Sequence, residues 1–168
     1  MHSNIYAFQQ VGNAFIIPRD FAVEKYSTGF IANRIDLADY VSEININRCN
    51  IEDEMEMLSN WGNGKIFNVN KVDKDYFMTV SKEGIYEYVE GNCAKLRTML
   101  NDRNCARDII QSYGVYITQM FDDRSDIYIC LDEMVMPIHQ FIYYYYIVLY
   151  HSVGDNSLML TQLFDYHF

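Results

Sequence analysis

The sequence predicts an α+β fold. One globular domain over residues 1–168 is expected, with a small antiparallel sheet of hairpins packed against several helices, one of them buried near 137–153. Three observations carry this. The stretch PIHQFIYYYYIVLYHSV, Pro137 to Val153, has no charged side chain and repeats Ile138, Phe141, Ile142, Tyr145 and Leu149 at helical spacing. Short β-branched and aromatic runs alternate with turn residues elsewhere in the chain. Half of the 168 residues are hydrophobic, and a domain of that size buries roughly 70% of its unfolded surface, so a true core can form.

Taken in order, Ile5–Phe8 and Ala14–Ile17 flank Val11-Gly12-Asn13 and predict an opening hairpin that Pro18 ends. Residues 19–34 read as loop. IDLADYVSEI sets Ile35, Leu37, Ala38, Val41 and Ile44 toward one side of a short helix. Asn50 stands where an N-cap would precede IEDEMEMLSNW, whose early carboxylates suit the positive end of a helix dipole. Gly62-Asn63-Gly64 closes that segment.

Lys65–Val72 and Tyr76–Val80 predict two strands joined at Asp73-Lys74-Asp75. Ser81 caps a helix running to about Asn101, with Ile85, Val89, Cys93, Leu96 and Leu100 along one stripe. Gly84 and Gly91 each weaken that helix by about 1 kcal/mol, which keeps a strand through Tyr86–Val89 as its rival. Asn104 marks the start of a further short helix. VYITQMF and IYICL, on either side of Asp122–Asp126, predict a hairpin, and DNSLMLTQLFDYHF a last short helix. For the aromatic helix, Pro137 fits the first turn and Gly154 the left-handed stop.

The uncharged window from Met134 to Gly154 has the length of a membrane span. Pro137, His139, Gln140, His151 and the tyrosine run weigh against that, as does the lack of flanking Lys or Arg. The first ten residues carry no basic region before an apolar core, and Cys49, Cys93, Cys105 and Cys130 form no CxxC pair. A reducing, cytoplasmic setting with free thiols is the expectation.

Thirteen Lys and Arg against 23 Asp and Glu give a net charge of −10. Phosphate contacts need a basic surface, so direct nucleic-acid binding is excluded and a cationic protein partner is favoured. Gly62-Asn63-Gly64-Lys65 lacks both the spacing and the following Ser or Thr of a phosphate loop. Asp73–Asp75 and Asp122–Asp126 lack the Gly and closing Glu of a calcium loop. His139 and His151, twelve positions apart on a helix, point about 120° from each other and share no metal. No cofactor motif is present.

The acids are the site candidates. Glu52, Asp53, Glu54 and Glu56 cluster at one helix start. Glu83, Glu87 and Glu90 follow i, i+4, i+7 spacing, an anionic stripe that costs a few tenths of a kcal/mol per pair in repulsion. Asp122, Asp123 and Asp126 form a third group. Together with tyrosines, which are enriched at protein interfaces, they predict stoichiometric binding to a basic, nucleic-acid-handling protein, in the manner of an immunity protein or a phage-type anti-defence inhibitor. Two readings compete with this. One is a small enzyme or ligand-binding domain built around His139, Tyr145 and Cys130. The other is a subunit of an obligate assembly, which would show a broad apolar patch.

Overall fold

The computed structural model describes residues 2–12, 17, 21–35, 40–46, 50–102, 127–151 and 157–167. Over them run β1 (His2–Gly12), α1 (Thr28–Ala32), β2 (Tyr40–Ile44), α2 (Ile51–Asn60), β3 (Phe67–Val72), β4 (Asp75–Val80), α3 (Lys82–Asn101), β5 (Ile127–Leu131), β6 (Met134–Pro137), α4 (Ile138–His151) and β7 (Ser157–His167). All seven strands form one sheet in the order β3-β4-β7-β1-β5-β6, with β2 also paired to β7. The α+β class is as expected. The sheet is neither small nor purely antiparallel, because β1 and β5 pair in parallel from Asn4↔Ile127 to Ala7↔Cys130.

The largest departure lies at the C-terminal end, where the expected short helix is β7, the central strand. One edge of β7 pairs antiparallel with β1 from His2↔His167 to Gly12↔Ser157. Its other edge is shared end to end by β4 at residues 157–159 and β2 at residues 163–167. Leu158, Leu160 and Leu163 enter the core on one face of the sheet, Phe164 and Tyr166 on the other. A strand buried on both faces shows no polar alternation, so its Leu- and Met-rich run resembles helix. The register shift between Ala7 and Phe8 leaves Thr161 without an opposite residue, and its hydroxyl donates to the Ala7 carbonyl at 3.2 Å.

Two further expectations change for related reasons. Residues 40–44, read as helix, are a strand, since pairing with β7 outweighs a short periodic stretch. The first arm of the expected opening hairpin, Ile5–Phe8, lies in one eleven-residue strand that runs on through Val11 and Gly12, and its second arm at 14–16 lies outside the described residues. IYICL is β5, but it turns directly into β6 through Asp132 and Glu133, both left-handed at φ 50° and 63°. Two successive left-handed residues match the twist of a hairpin, though Asp-Glu gives little warning of it. Residues 115–121, its expected partner, lie outside the described residues, as does the helix expected after Asn104.

Local signals fared better. The β3–β4 hairpin runs in register from Phe67↔Val80 to Val72↔Asp75. The Ser81 side chain accepts the Gly84 amide at 3.0 Å and starts α3 where expected. Asn50 precedes α2 through its carbonyl, which accepts the amides of Asp53 and Glu54; its side chain makes no capping bond and instead reaches the Asp53 carboxylate.

The larger core lies on the face covered by α2, α3 and α4, with Met55, Leu58, Ile85, Val89, Phe141, Ile142 and Tyr145 against Tyr6, Phe67 and Ile129. α4 is buried along Ile138, Phe141, Ile142 and Tyr145, while Tyr144 and Ile147 face outward. Pro137 ends β6, an edge strand, where a missing N–H is tolerated. The opposite face packs Ile5, Ala7, Cys130, Phe164 and Tyr166 beneath Ile31 and Ile35. There the extended chain before α1 is held by two glutamine amides. Gln9 donates to the Ala22 carbonyl at 3.0 Å and accepts the Glu24 amide at 2.9 Å. Gln162 accepts the Tyr26 amide at 2.6 Å and donates to the Tyr26 carbonyl at 3.2 Å.

The stripe expected along α3 is buried only at its start. Ile85 and Val89 are core residues, Cys93 and Leu96 are half-buried, and Leu100 is 50% exposed. Gly84 has a reason to be glycine: a Cβ there would stand 2.0 Å from the Lys65 carbonyl oxygen and 2.7 Å from its carbon, where the helix meets backbone. Gly91 has nothing within 4 Å of that position. The two glycines should therefore respond oppositely in urea unfolding. Gly84→Ala is expected to destabilise by about 1–3 kcal/mol through overpacking. Gly91→Ala is expected to stabilise by about 1 kcal/mol through helix propensity.

Candidate functional site

Packing decides which acids are available. In α2, Ile51, Met55 and Leu58 occupy the core at i, i+4, i+7, which turns Glu52, Asp53 and Glu56 outward. Glu54 is different. Its carboxylate accepts the Tyr6 hydroxyl at 3.0 Å and the Asn4 amide at 2.5 Å, tying α2 to β1. Burial, reinforced by the Glu54 charge, pushes the Tyr6 phenol well above its usual range, so it stays a neutral donor. Glu54 is thus part of the fold. Glu54→Ala should destabilise by about 1.5–3 kcal/mol, the range for a hydrogen-bonded charge. Glu56→Ala should stay within about 0.5 kcal/mol, as surface changes do. Chemical denaturation of the two variants side by side makes the comparison.

The remaining acids fall into two groups at opposite ends of β3. At one end, Glu52 Oε1 lies 2.5 Å from Lys71 Nζ, and that bond holds the Glu52 carboxyl below its usual range. The Lys71 ammonium also sits 5.2 Å from the centre of the Tyr76 ring. Glu52, Met55 and Glu56 of α2, with Val69, Lys71 and Tyr76 of the hairpin, line an open groove of about 320 Å³. At the other end, Lys65, just before β3, bonds Glu87 at 2.8 Å; both side chains are exposed.

On α3, burial of Ile85 and Val89 fixes the solvent face. The 100° step per residue puts Tyr86, Glu90, Glu83 and Glu87, in that order, across about 100° of arc. Glu83, Tyr86 and Glu87 are exposed, and Glu90 is half-buried. Tyr86 reaches Tyr146 of α4, with ring centres 6.2 Å apart, and Ile147 follows at 63% exposure. The stripe seen in the sequence is therefore real, with an aromatic ridge beside it. The structure does not merge it with the acids of α2. Asp122, Asp123 and Asp126 lie outside the described residues.

The set His139, Tyr145 and Cys130 does not converge. Cys130 belongs to the core on the α1 face of the sheet, Tyr145 to the core on the other face. Burial pushes the Cys130 thiol up to about 12, and burial likewise raises the Tyr145 phenol. His139 is buried on α4. In the folded protein Cys130 is expected to resist iodoacetamide at pH 8 and to react once the chain is unfolded, as peptide mapping by mass spectrometry will show.

Gly62-Asn63-Gly64 forms a left-handed turn, φ 63°, 65° and 67°, rather than a phosphate cradle. Sequence reasoning set aside the terminal histidines, yet β1 places His2 opposite His167 of β7, whose neighbour on the other edge is Tyr40 of β2. His167 Nε2 stands 3.5 Å from Asp165 Oδ2. No local signal could have shown this, because it depends on β7 being a strand. Among the described residues no three His, Cys, Asp or Glu side chains are grouped to hold a metal, and no helix is long and apolar enough to cross a membrane.

No family model, curated protein or solved structure matches the chain.

Proposed function

We propose that this protein is an acidic, cytoplasmic binding protein that blocks a cationic protein partner, one that handles nucleic acid, in the way an immunity protein or a phage-type anti-defence inhibitor does. The observation that carries the reading is the α3 face. Glu83, Glu87 and Glu90 share one side of a helix with exposed Tyr86, whose ring meets Tyr146 of α4, and exposed Ile147 extends that apolar ridge. Among the described residues only Lys65 is bonded into that stripe, at Glu87.

Such a face suits occlusion. Carboxylates attract and orient a basic surface before contact, and tyrosine rings supply area that is rigid enough to hold it. A partner covered in this way loses the cationic surface with which it would meet phosphate. The net charge of −10 keeps the approach favourable over distances up to the screening length, about 8 Å at physiological salt. The competing catalytic reading has less to rest on, since its thiol and its phenol are buried on opposite sides of the sheet.

The test is capture from the native host at low salt, followed by washes of rising ionic strength and by the triple variant Glu83→Lys, Glu87→Lys, Glu90→Lys. A basic protein should be retained, should be released as salt rises, and should associate at least about tenfold more slowly with the variant, whose fold is unchanged by circular dichroism. Retention that ignores both salt and charge reversal, or no retention of a basic protein, overturns the proposal.

A further inference from the structure

β3 is the outermost strand at one end of the sheet; among the described residues no strand pairs with its outer edge, where the Phe67 carbonyl accepts the Ser59 hydroxyl at 3.3 Å and keeps a second lone pair. We infer that this edge, with the groove beside it, docks an extended, Lys- or Arg-bearing segment of the partner by adding it to the sheet as a further strand. The inference rests on the reading that the partner is cationic, and it names a second point of contact with it, at the opposite end of β3 from the Lys65–Glu87 pair.

The edge is suited to pairing. Natural edge strands are commonly blunted by bulges, prolines or charged side chains, lysine above all, and the one lysine here is neutralised by Glu52. β3 has six residues, FNVNKV, with an unbroken register against β4 and a single charged side chain, Lys71. A strand laid along it would find its backbone donors and acceptors already aligned, and every second side chain would turn toward the groove.

The groove chemistry selects the side chains. Met55 and Val69 give it apolar lining, and the carboxylates of Glu52 and Glu56 stand one helical turn apart along α2. A long aliphatic stem ending in a cation fits that combination. Lys71 demonstrates it from within: its ammonium is held between the Glu52 carboxylate and the face of Tyr76. Glu56 has no such partner among the described residues and is free to take a cation from outside. The groove volume of about 320 Å³ is that of a small binding site.

The probe is a synthetic hexapeptide alternating arginine and valine, added to the full-length protein. Its controls are the same peptide with glutamate for arginine and an arginine peptide N-methylated at alternate backbone nitrogens. Binding of the first should slow hydrogen exchange of the outward amides between Phe67 and Val72 by at least about tenfold. Glu56→Lys, and to a smaller extent the neutral and nearly isosteric Glu56→Gln, should weaken it, Glu56→Lys by at least about tenfold. Both control peptides should fail to bind. Equal binding of the N-methylated peptide means that the backbone edge is not used, and equal binding of the glutamate peptide means that the groove does not select cations; either overturns the inference. So does protection that falls outside β3, or self-association through β3 seen by light scattering.

The captured partner separates this inference from the proposed function. If charge reversal on α3 releases the partner and the two Glu56 variants do not, the β3 site falls and the function stands. If Glu56→Lys also weakens capture while α3 is intact, the β3 site is supported. If neither has any effect, both fall.

Discussion

The structure depends on β7 being buried on every side. Its two edges are hydrogen-bonded, one to β1 and the other to β4 and β2 in succession, and its two faces feed both cores. A backbone so deeply enclosed must satisfy every amide and carbonyl internally, and a sheet ladder does that without polar side chains. The consequence reaches the N-terminus: β1 has to be extended for its whole length to serve as the partner of β7. Once β1 and β7 are fixed, β5 joins in parallel and the α2, α3 and α4 layer has one face on which to pack.

The buried and half-buried polar side chains follow from the same frame. Gln9 and Gln162 lie on β1 and β7, and each presents one donor and one acceptor to the chain between Ala22 and Tyr26, as a neighbouring strand would. Glu54 and Tyr6 join α2 to β1 across 48 positions of sequence. These groups are consumed by holding the fold together. Other carboxylates, among them Glu52 and Glu56 beside β3 and Glu83, Glu87 and Glu90 on α3, stand outside the cores, where they can meet another molecule.

Legibility from sequence tracked the range of the interactions. The β3–β4 hairpin, the Ser81 cap, the extent of α3, the acidic first turn of α2 and the left-handed Gly62–Gly64 turn all depend on residues within a few positions of one another. β7 and β2 do not: the Leu and Met of β7 favour helix, the spacing of Ile35, Leu37, Ala38, Val41 and Ile44 mimics one around β2, and tertiary pairing overrules both. The anionic stripe was legible because Glu83, Glu87 and Glu90 sit on a helix whose period the sequence states. The groove was not, because it needs Lys71 and Tyr76 brought beside Glu52, a contact made only after α2 packs on the hairpin. Glu54 looked like one more surface acid because Tyr6 is remote in sequence.

Magnitudes explain why the α3 stripe faces solvent despite its own repulsion. Burying a residue the size of Ile85 or Val89 is worth about 1.5–3 kcal/mol each, whereas neighbouring like charges on a helix cost a few tenths. The core therefore chooses the rotation of the helix, and Gly84 lets the first turn close onto the Lys65–Ile66 backbone where any larger residue would hold it away. Rotation of α3 by one position would relieve nothing electrostatically, since the three glutamates would move together, and would draw Ile85 and Val89 out of the core. The orientation of the stripe is thus set by packing, and its charge can be reversed without disturbing the residues that set it.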